Sequence, residues 1–335
     1  MTIGLELLLA LLLILVAAET FTNALEHFGA RIGISEGVTG SLFAAVGTAM
    51  PESIVPIVAI YAGTANAALN AEIGVGAILG APLMLSTLSL SLMAFSVVRR
   101  RGIFGHLRPE RTGLQRDLIF FLIAFGLAFI ALFIPAQQTG LRLFMAGALV
   151  MTYFIYVMLT LKVSAKLVEE GHGTQAEGTM FLCRIGLPEH LLVIVLQLAS
   201  GLALLILGAK TFVHGIEEFS QLVGISPLLL SLLIIPIATE LPEKVNSILW
   251  IRRGKDTLAF GNITGAMVFQ GSLLPALGLM LTPWAPTTEV LIGVIVAYVA
   301  AFWVFMLARQ GDLRVWHFGV NFALYILFVS VMLFG

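Results

Sequence analysis

Apolar residues dominate this chain in long stretches, and polar residues collect in the gaps between them. Ten stretches reach spanning length: 3–30, 37–62, 72–98, 117–134, 140–161, 190–220, 228–251, 258–281, 287–308 and 314–334. About 20 apolar residues in a helix cross the hydrocarbon core of a bilayer, where every backbone polar group must be satisfied inside the segment. The pattern therefore predicts an all-α integral membrane protein with ten transmembrane helices. The first run begins at Ile3 with no Lys or Arg ahead of it, the first basic residue being Arg31. A secretory signal needs a positive leading region, so residues 1–18 read as part of a retained helix.

Composition agrees with the bilayer as solvent. The 335 residues are 59% hydrophobic and 11% charged, with mean hydropathy +1.03, whereas soluble domains carry about 25% charged residues. The net charge of −1 decides little; the placement of the charges decides more. Arg99, Arg100, Arg101, Arg108, Arg111 and Arg116 crowd the loop 99–116, and Lys162, Lys166 and Arg184 lie in 162–189. With Arg31, Arg252, Arg253, Lys255, Arg309 and Arg314, fifteen of eighteen basic residues fall on one side of a ten-span topology. The positive-inside rule makes that side cytoplasmic and both termini external, in the plasma (inner) membrane. Arg142, Lys210 and Lys244 are the exceptions. Trp250, Trp284, Trp303 and Trp316 fall near predicted helix ends, as interfacial belts do. The single cysteine, Cys183, has no partner for an intrachain disulfide and no metal-ligand spacing. Nothing reads as a nucleic-acid footprint.

The chain repeats itself. AETFTNALEHFGARIGISEGVTGSLFAAVGTAMPES, from Ala18, resembles AKTFVHGIEEFSQLVGISPLLLSLLIIPIATELPEK, from Ala209, at a constant offset of 191 residues. Gly33-Ile34-Ser35 meets Gly224-Ile225-Ser226, and Thr48, Pro51 and Glu52 meet Thr239, Pro242 and Glu243. Matches of Thr, Pro, Glu and Gly without a gap are hard to obtain by chance between apolar helices. Five spans per copy is an odd number, so the second copy enters the membrane from the opposite side, as in secondary transporters whose sites form near the midplane. The predicted organisation is a first five-helix repeat at 1–161, a cytoplasmic connection at 162–189 and a second, inverted repeat at 190–335.

Chemistry concentrates at a polar break in the second span of each copy: Gly47-Thr48-Ala49-Met50-Pro51-Glu52 and Pro236-Ile237-Ala238-Thr239-Glu240-Leu241-Pro242-Glu243. Proline removes a donor and frees the carbonyl four residues earlier: that of Gly47 for Pro51, Leu232 for Pro236 and Ala238 for Pro242. Thr48 and Glu52, like Thr239 and Glu243, are spaced i,i+4, one helical face. A glutamate in a span costs a few kcal/mol and marks an ion pathway or proton relay; a lone glutamate can also simply cap a broken helix. Two symmetry-related carboxylates repel unless protonated or bridged by a cation, and Ca²⁺ accepts bidentate carboxylates together with carbonyls. Lys244 has two readings: an i,i+4 partner of Glu240, or an internal cation that competes with the ion.

These motifs resemble those of the sodium/calcium exchangers of the cation/calcium exchanger superfamily, whose repeats carry G-T-S-L-P-E in the second and seventh helices and G-N/D-x-x-G-S-N in the third and eighth. The resemblance implies ten helices, alternating access driven by an ion gradient, and a transported cation on Glu52 and Glu243 with oxygens of Thr48 and Thr239 assisting. The departures fall at Ala49 and Glu240, where the family has Ser, and at Ala77 in Gly76-Ala77-Ile78-Leu79-Gly80-Ala81-Pro82. Asn262 keeps an amide in Gly261-Asn262-Ile263-Thr264-Gly265-Ala266-Met267, while Lys244 has no counterpart.

The sequence thus predicts a cation antiporter, Ca²⁺ against Na⁺ or H⁺, with Glu52, Glu243, Thr48, Thr239, Asn262 and Glu240 as metal-binding residues and Lys244 as modulator. The alternatives are a proton-coupled exchanger of another cation and a non-transporting scaffold. No H-E-x-x-H, G-x-S-x-G or glycine-rich nucleotide cradle supports an enzyme. The expected partners are transported ions and membrane lipids, without a cofactor or nucleic acid.

Overall fold

The computed structural model of the protein describes residues 3–31, 50–62, 64–169 and 179–334. Those residues are helical apart from their connections: α1 Ile3–Arg31, α2 Met50–Ala62, α3 Ala67–Phe95, α4 Arg111–Ala131, α5 Thr139–Glu169, α6 Leu191–Val223, α7 Pro227–Thr239, α8 Leu241–Arg252, α9 Asp256–Leu281, α10 Thr288–Gln310 and α11 Phe318–Phe334. Eight helical segments are long and apolar enough to cross a membrane, and α2 and α7 hold the shorter apolar segments Pro51–Tyr61 and Pro227–Ile237. Residues 37–49 of the second predicted span lie outside the described residues.

Several ends differ from the sequence reading, each for a local reason. α3 starts at Ala67, not 72, because the Asn66 side chain accepts the N–H groups of Ala68 and Leu69 (3.1 and 3.3 Å). α4 starts at Arg111, not 117, because Glu110 caps Thr112 and Gly113 (2.7 and 2.5 Å). Partial burial works to raise the Glu110 pKa, but the Gly113 and Thr112 N–H groups outweigh it and hold the carboxyl below its ordinary range. The seventh predicted span, 228–251, is two helices that meet at Glu240.

The chain divides into two compact units: Met1–Thr64 with Ile155–Val223, and Ala65–Phe154 with Gly224–Gly335. In the first, α1 and α6 pack along their length, and α2 packs on both. Their seam is made of small residues seven apart. Gly201, Gly208 and Gly215 of α6 face Phe21, Ile14 and Leu7 of α1, so the helices run antiparallel. A Cβ on Gly201 would stand 2.9 Å from the Phe21 nitrogen. Small residues let backbones approach this closely where lipid supplies no hydrophobic drive. The α1 positions 191 residues earlier are Ala10, Ala17 and Ala24, and all three are buried.

A polar knot ties the connecting segment to this pair. Gln197, fully buried, donates to Asn23 Oδ1 (2.9 Å) and the Thr20 carbonyl (3.1 Å) and accepts the Leu182 N–H (2.9 Å). Asn23 Oδ1 also accepts the Phe181 N–H (3.0 Å), which fixes a one-turn helix at Phe181–Arg184.

In the second unit α3 is buried along almost all of its length. α7 packs against it, α9 and α10 against α4, and α8 against α9. Gly76 approaches Leu228 and Ser231, and Gly80 approaches Leu232 and Pro236, so α3 and α7 run in the same direction. The carbonyl that Pro236 deprives of its helical donor, Leu232 O, lies against Gly80. α3 then loosens into a π-turn at Leu85–Ser89, where Asn321 donates to the Ser86 carbonyl (2.8 Å). Arg142, one of the three exceptions to the charge rule, is buried and donates to the carbonyls of Leu279, Thr282 and Pro283 at the end of α9. Trp284 corrects the interfacial-belt expectation: it is buried, and its Nε1 donates to the Ala128 carbonyl (3.3 Å). At the opposite end of α9, Arg101 forks onto Asp256 (2.6 and 2.7 Å).

Candidate functional site

Glu52 belongs to the first unit. It follows Pro51 in α2 and shares its buried face with Val55 and Ala59, with only 3% of its surface exposed. A carboxylate this far from water is the intramembrane acid that the repeat singled out, and a charge there needs a cation, a proton or donors around it. Thr48, with Gly47 and Ala49, lies outside the described residues.

The second copy of the motif belongs to the second unit. Thr239 and Glu243 fall in different helices, because α7 ends at Thr239 and α8 starts at Leu241. Glu240 sits between them at φ −91°, ψ 5°, outside helical geometry. Pro242 therefore falls in the first turn of a new helix, where a missing N–H costs nothing. Glu243 is the third residue of α8, in the turn where the helix dipole favours negative charge; its side chain lies outside the description. Thr239 is buried and its hydroxyl donates to the Ile235 carbonyl (3.2 Å), which leaves oxygen lone pairs for another partner.

Glu240 is fully buried and forms an ion pair with Lys244, Oε2 to Nζ 3.3 Å. The same ammonium donates to the Pro236 carbonyl (3.1 Å) and contacts Met84 Sδ (2.7 Å). That carbonyl, in the last turn of α7, also accepts the Glu240 N–H (3.2 Å), the helix's own closing bond. Of the two readings of Lys244, the partner of Glu240 is the arrangement present. Asn262 lies one layer away, donating to the buried Ser247 hydroxyl (3.0 Å) between α9 and α8.

Among the described residues no group of three or more His, Cys, Asp and Glu side chains could hold a metal ion. Carbonyl and hydroxyl oxygens beside few carboxylates are a donor set that Ca²⁺ accepts. Two buried polar features escaped the sequence reading. Asp117, the first residue of a predicted span, accepts the Thr264 hydroxyl (2.7 Å) and is buried. The buried π-turn of α3 left only the polar run Ser86-Thr87-Leu88-Ser89 as a signal.

The chain matches the sequence profile described as sodium/calcium exchanger protein over residues 4–162 and 193–334. It is 25% identical over 281 residues to a protein of Alkalimonas amylolytica named putative antiporter CaxA, covering 82% of this chain and 80% of that one. It is 21% identical over 294 residues to the sodium/calcium exchanger MaX1 of Methanosarcina acetivorans, covering 78% of each. Among solved structures, the crystal structure of the H⁺/Ca²⁺ exchanger CAX shares its fold with a TM-score of 0.74 at 18% identity, covering 100% of this chain and 83% of that one. Matched over both halves of its length, this chain belongs to the sodium/calcium exchanger protein family, membrane transporters rather than enzymes.

Proposed function

We propose that this protein is a secondary-active antiporter that exchanges Ca²⁺ against Na⁺ or H⁺ by alternating access, with Glu52 and Glu243 as ligands of the transported cation. The observation that carries the reading is the burial of Glu52, 3% exposed, in a Pro-Glu motif repeated 191 residues later at Pro242-Glu243. A buried carboxylate in a transporter family whose named members exchange Ca²⁺ is best explained by a cation ligand. Thr48, Thr239, Asn262 and Glu240 complete the proposed donor set, Glu240 through the carboxylate oxygen other than the Oε2 paired with Lys244, and Lys244 acts as modulator. The scaffold consists of ten spans in two inverted repeats, 1–161 and 190–335, joined by a cytoplasmic connection at 162–189, with both termini outside the plasma membrane. This organisation is supported by the constant sequence offset and by the antiparallel α1–α6 seam, whose Ala10, Ala17 and Ala24 answer Gly201, Gly208 and Gly215 at that same offset.

The test is ⁴⁵Ca²⁺ uptake into proteoliposomes with an imposed Na⁺ or pH gradient. Wild-type protein should accumulate Ca²⁺ under one of the two gradients, and Glu52→Gln and Glu243→Gln should abolish accumulation while inserting normally. No uptake by well-folded wild type under either gradient would favour the scaffold reading, and full activity of either variant would remove that residue from the site.

A further inference from the structure

Lys244 is an unusual resident of a transporter helix pair. Its ammonium is not carried out to an interface. It is held by Glu240 Oε2 (3.3 Å), by the Pro236 carbonyl (3.1 Å) and by Met84 Sδ (2.7 Å), with 12% of the side chain exposed and Glu240 at 0%. Each of these atoms is an electron-pair donor, and one is a carboxylate oxygen. The Pro236 carbonyl lies in the last turn of α7, where it accepts the helical Glu240 N–H (3.2 Å) and the Lys244 ammonium together. An ammonium group and a potassium ion are close in radius and both carry one positive charge, so the carboxylate and carbonyl oxygens of this cradle suit either, while the soft thioether adds little to an alkali-metal ion.

We propose that the Lys244 ammonium permanently fills a monovalent-cation site formed by Glu240, Pro236 and Met84, a tethered charge in place of a free alkali-metal ion. The site neutralises Glu240 without drawing an ion from solution, so the break between α7 and α8 stays assembled at any Na⁺ concentration. Its bearing on transport, namely that no free monovalent cation is needed at this position, rests on the antiporter reading; the binding claim itself does not. Removing the amine takes the ammonium's charge away from a buried carboxylate, which is strongly destabilising unless something replaces it. In Lys244→Ala the vacated space is open to a free cation.

The experiment is the thermal unfolding midpoint of purified full-length protein in choline chloride, with NaCl, KCl or NH₄Cl titrated in at constant ionic strength and pH. Lys244→Ala should gain a saturable rise of roughly 5 °C or more with at least one of these cations at a hundredfold excess over its dissociation constant. Wild type should shift by less than about 1 °C. Lys244→Met, which fills the space without the charge, and Glu240→Gln/Lys244→Ala, which removes the carboxylate, should not respond. If Lys244→Ala survives extraction only in buffers containing Na⁺, K⁺ or NH₄⁺, the proposal stands; if it is lost in all of them alike, the proposal fails. It also fails if the variant is stabilised by lowering pH but by no monovalent cation, because a proton then takes the ammonium's place. Because the readout is stability, a negative result here leaves Ca²⁺ exchange untouched, and loss of the Ca²⁺ reading leaves this site standing.

Discussion

Gly80 is the position where a single methyl group should do the most damage at a helix contact. α7 crosses so close to α3 that a Cβ there would overlap the Leu232 carbonyl oxygen and stand 2.8 Å from Pro236 Cγ and 2.9 Å from the Leu232 carbonyl carbon. Two of those atoms are backbone and the third belongs to a rigid ring, so relief requires moving one helix. Overpacking of this kind costs about 1–3 kcal/mol or more. It is opposed by the gain of about 0.5–1 kcal/mol that Gly→Ala gives inside a helix. Gly147, in α5, isolates that opposing gain, because a Cβ there would meet nothing within 4 Å. Gly80→Ala should therefore lower the thermal unfolding midpoint in detergent by several degrees, at roughly 2–4 °C per kcal/mol, whereas Gly147→Ala should leave it unchanged or raise it. Because α7 carries the break at Glu240, Gly80→Ala should also reduce Ca²⁺ uptake per folded molecule. If Gly80→Ala and Gly147→Ala unfold at the same temperature, the close approach of α3 and α7 is refuted.

Arg142→Met should destabilise the protein by about 2–4 kcal/mol, because it strips donors from three carbonyls at the end of α9; the unfolding midpoint checks this, and an unchanged midpoint contradicts it. Gln197→Leu should release the segment around Phe181–Arg184 from α1 and α6, so that trypsin cuts after the already exposed Arg184 in limited proteolysis at least several times faster than in wild type. The Glu110 cap carries a pH signature of known sign. Its carboxyl is held below the ordinary range when folded, so its stabilisation is complete above that range and lost as pH falls through the folded-state value. Glu110→Gln should cost about 0.5–1 kcal/mol at neutral pH, and the difference from wild type should vanish in acid; a difference that persists unchanged in acid would rule out the charged cap.

The spans were legible because burying a backbone in lipid forces long apolar runs, and the runs at 287–308 and 314–334 lie within a residue or two of α10 and of the Val315–Phe334 span. Helix starts were less so. Asn66 and Glu110 set them through side-chain caps inside segments that looked like loops, and the first six residues of α4, four of them polar, read as part of the preceding loop. The two Pro-Glu motifs stood out because they repeat, yet sequence spacing could not tell a kinked helix from two helices; the backbone at Glu240 decides that. The ion pair of Glu240 and Lys244 followed from i,i+4 spacing, since α8's first helical bond joins those residues (Lys244 N to Glu240 O, 3.1 Å). Met84 as a third neighbour of the ammonium was invisible, being 160 residues away in the chain. So was the knot of Asn23 and Gln197, each a single amide in an apolar stretch with nothing local to pair them.

Calcium binding at equilibrium tests the central claim most directly. Purified protein titrated with ⁴⁵Ca²⁺ in the absence of any gradient should bind one ion per chain, and Glu52→Gln and Glu243→Gln should each lose it, with affinity lowered at least a hundredfold and the fold intact. Wild-type affinity retained in either variant would mean that the two repeated glutamates do not serve the same ion.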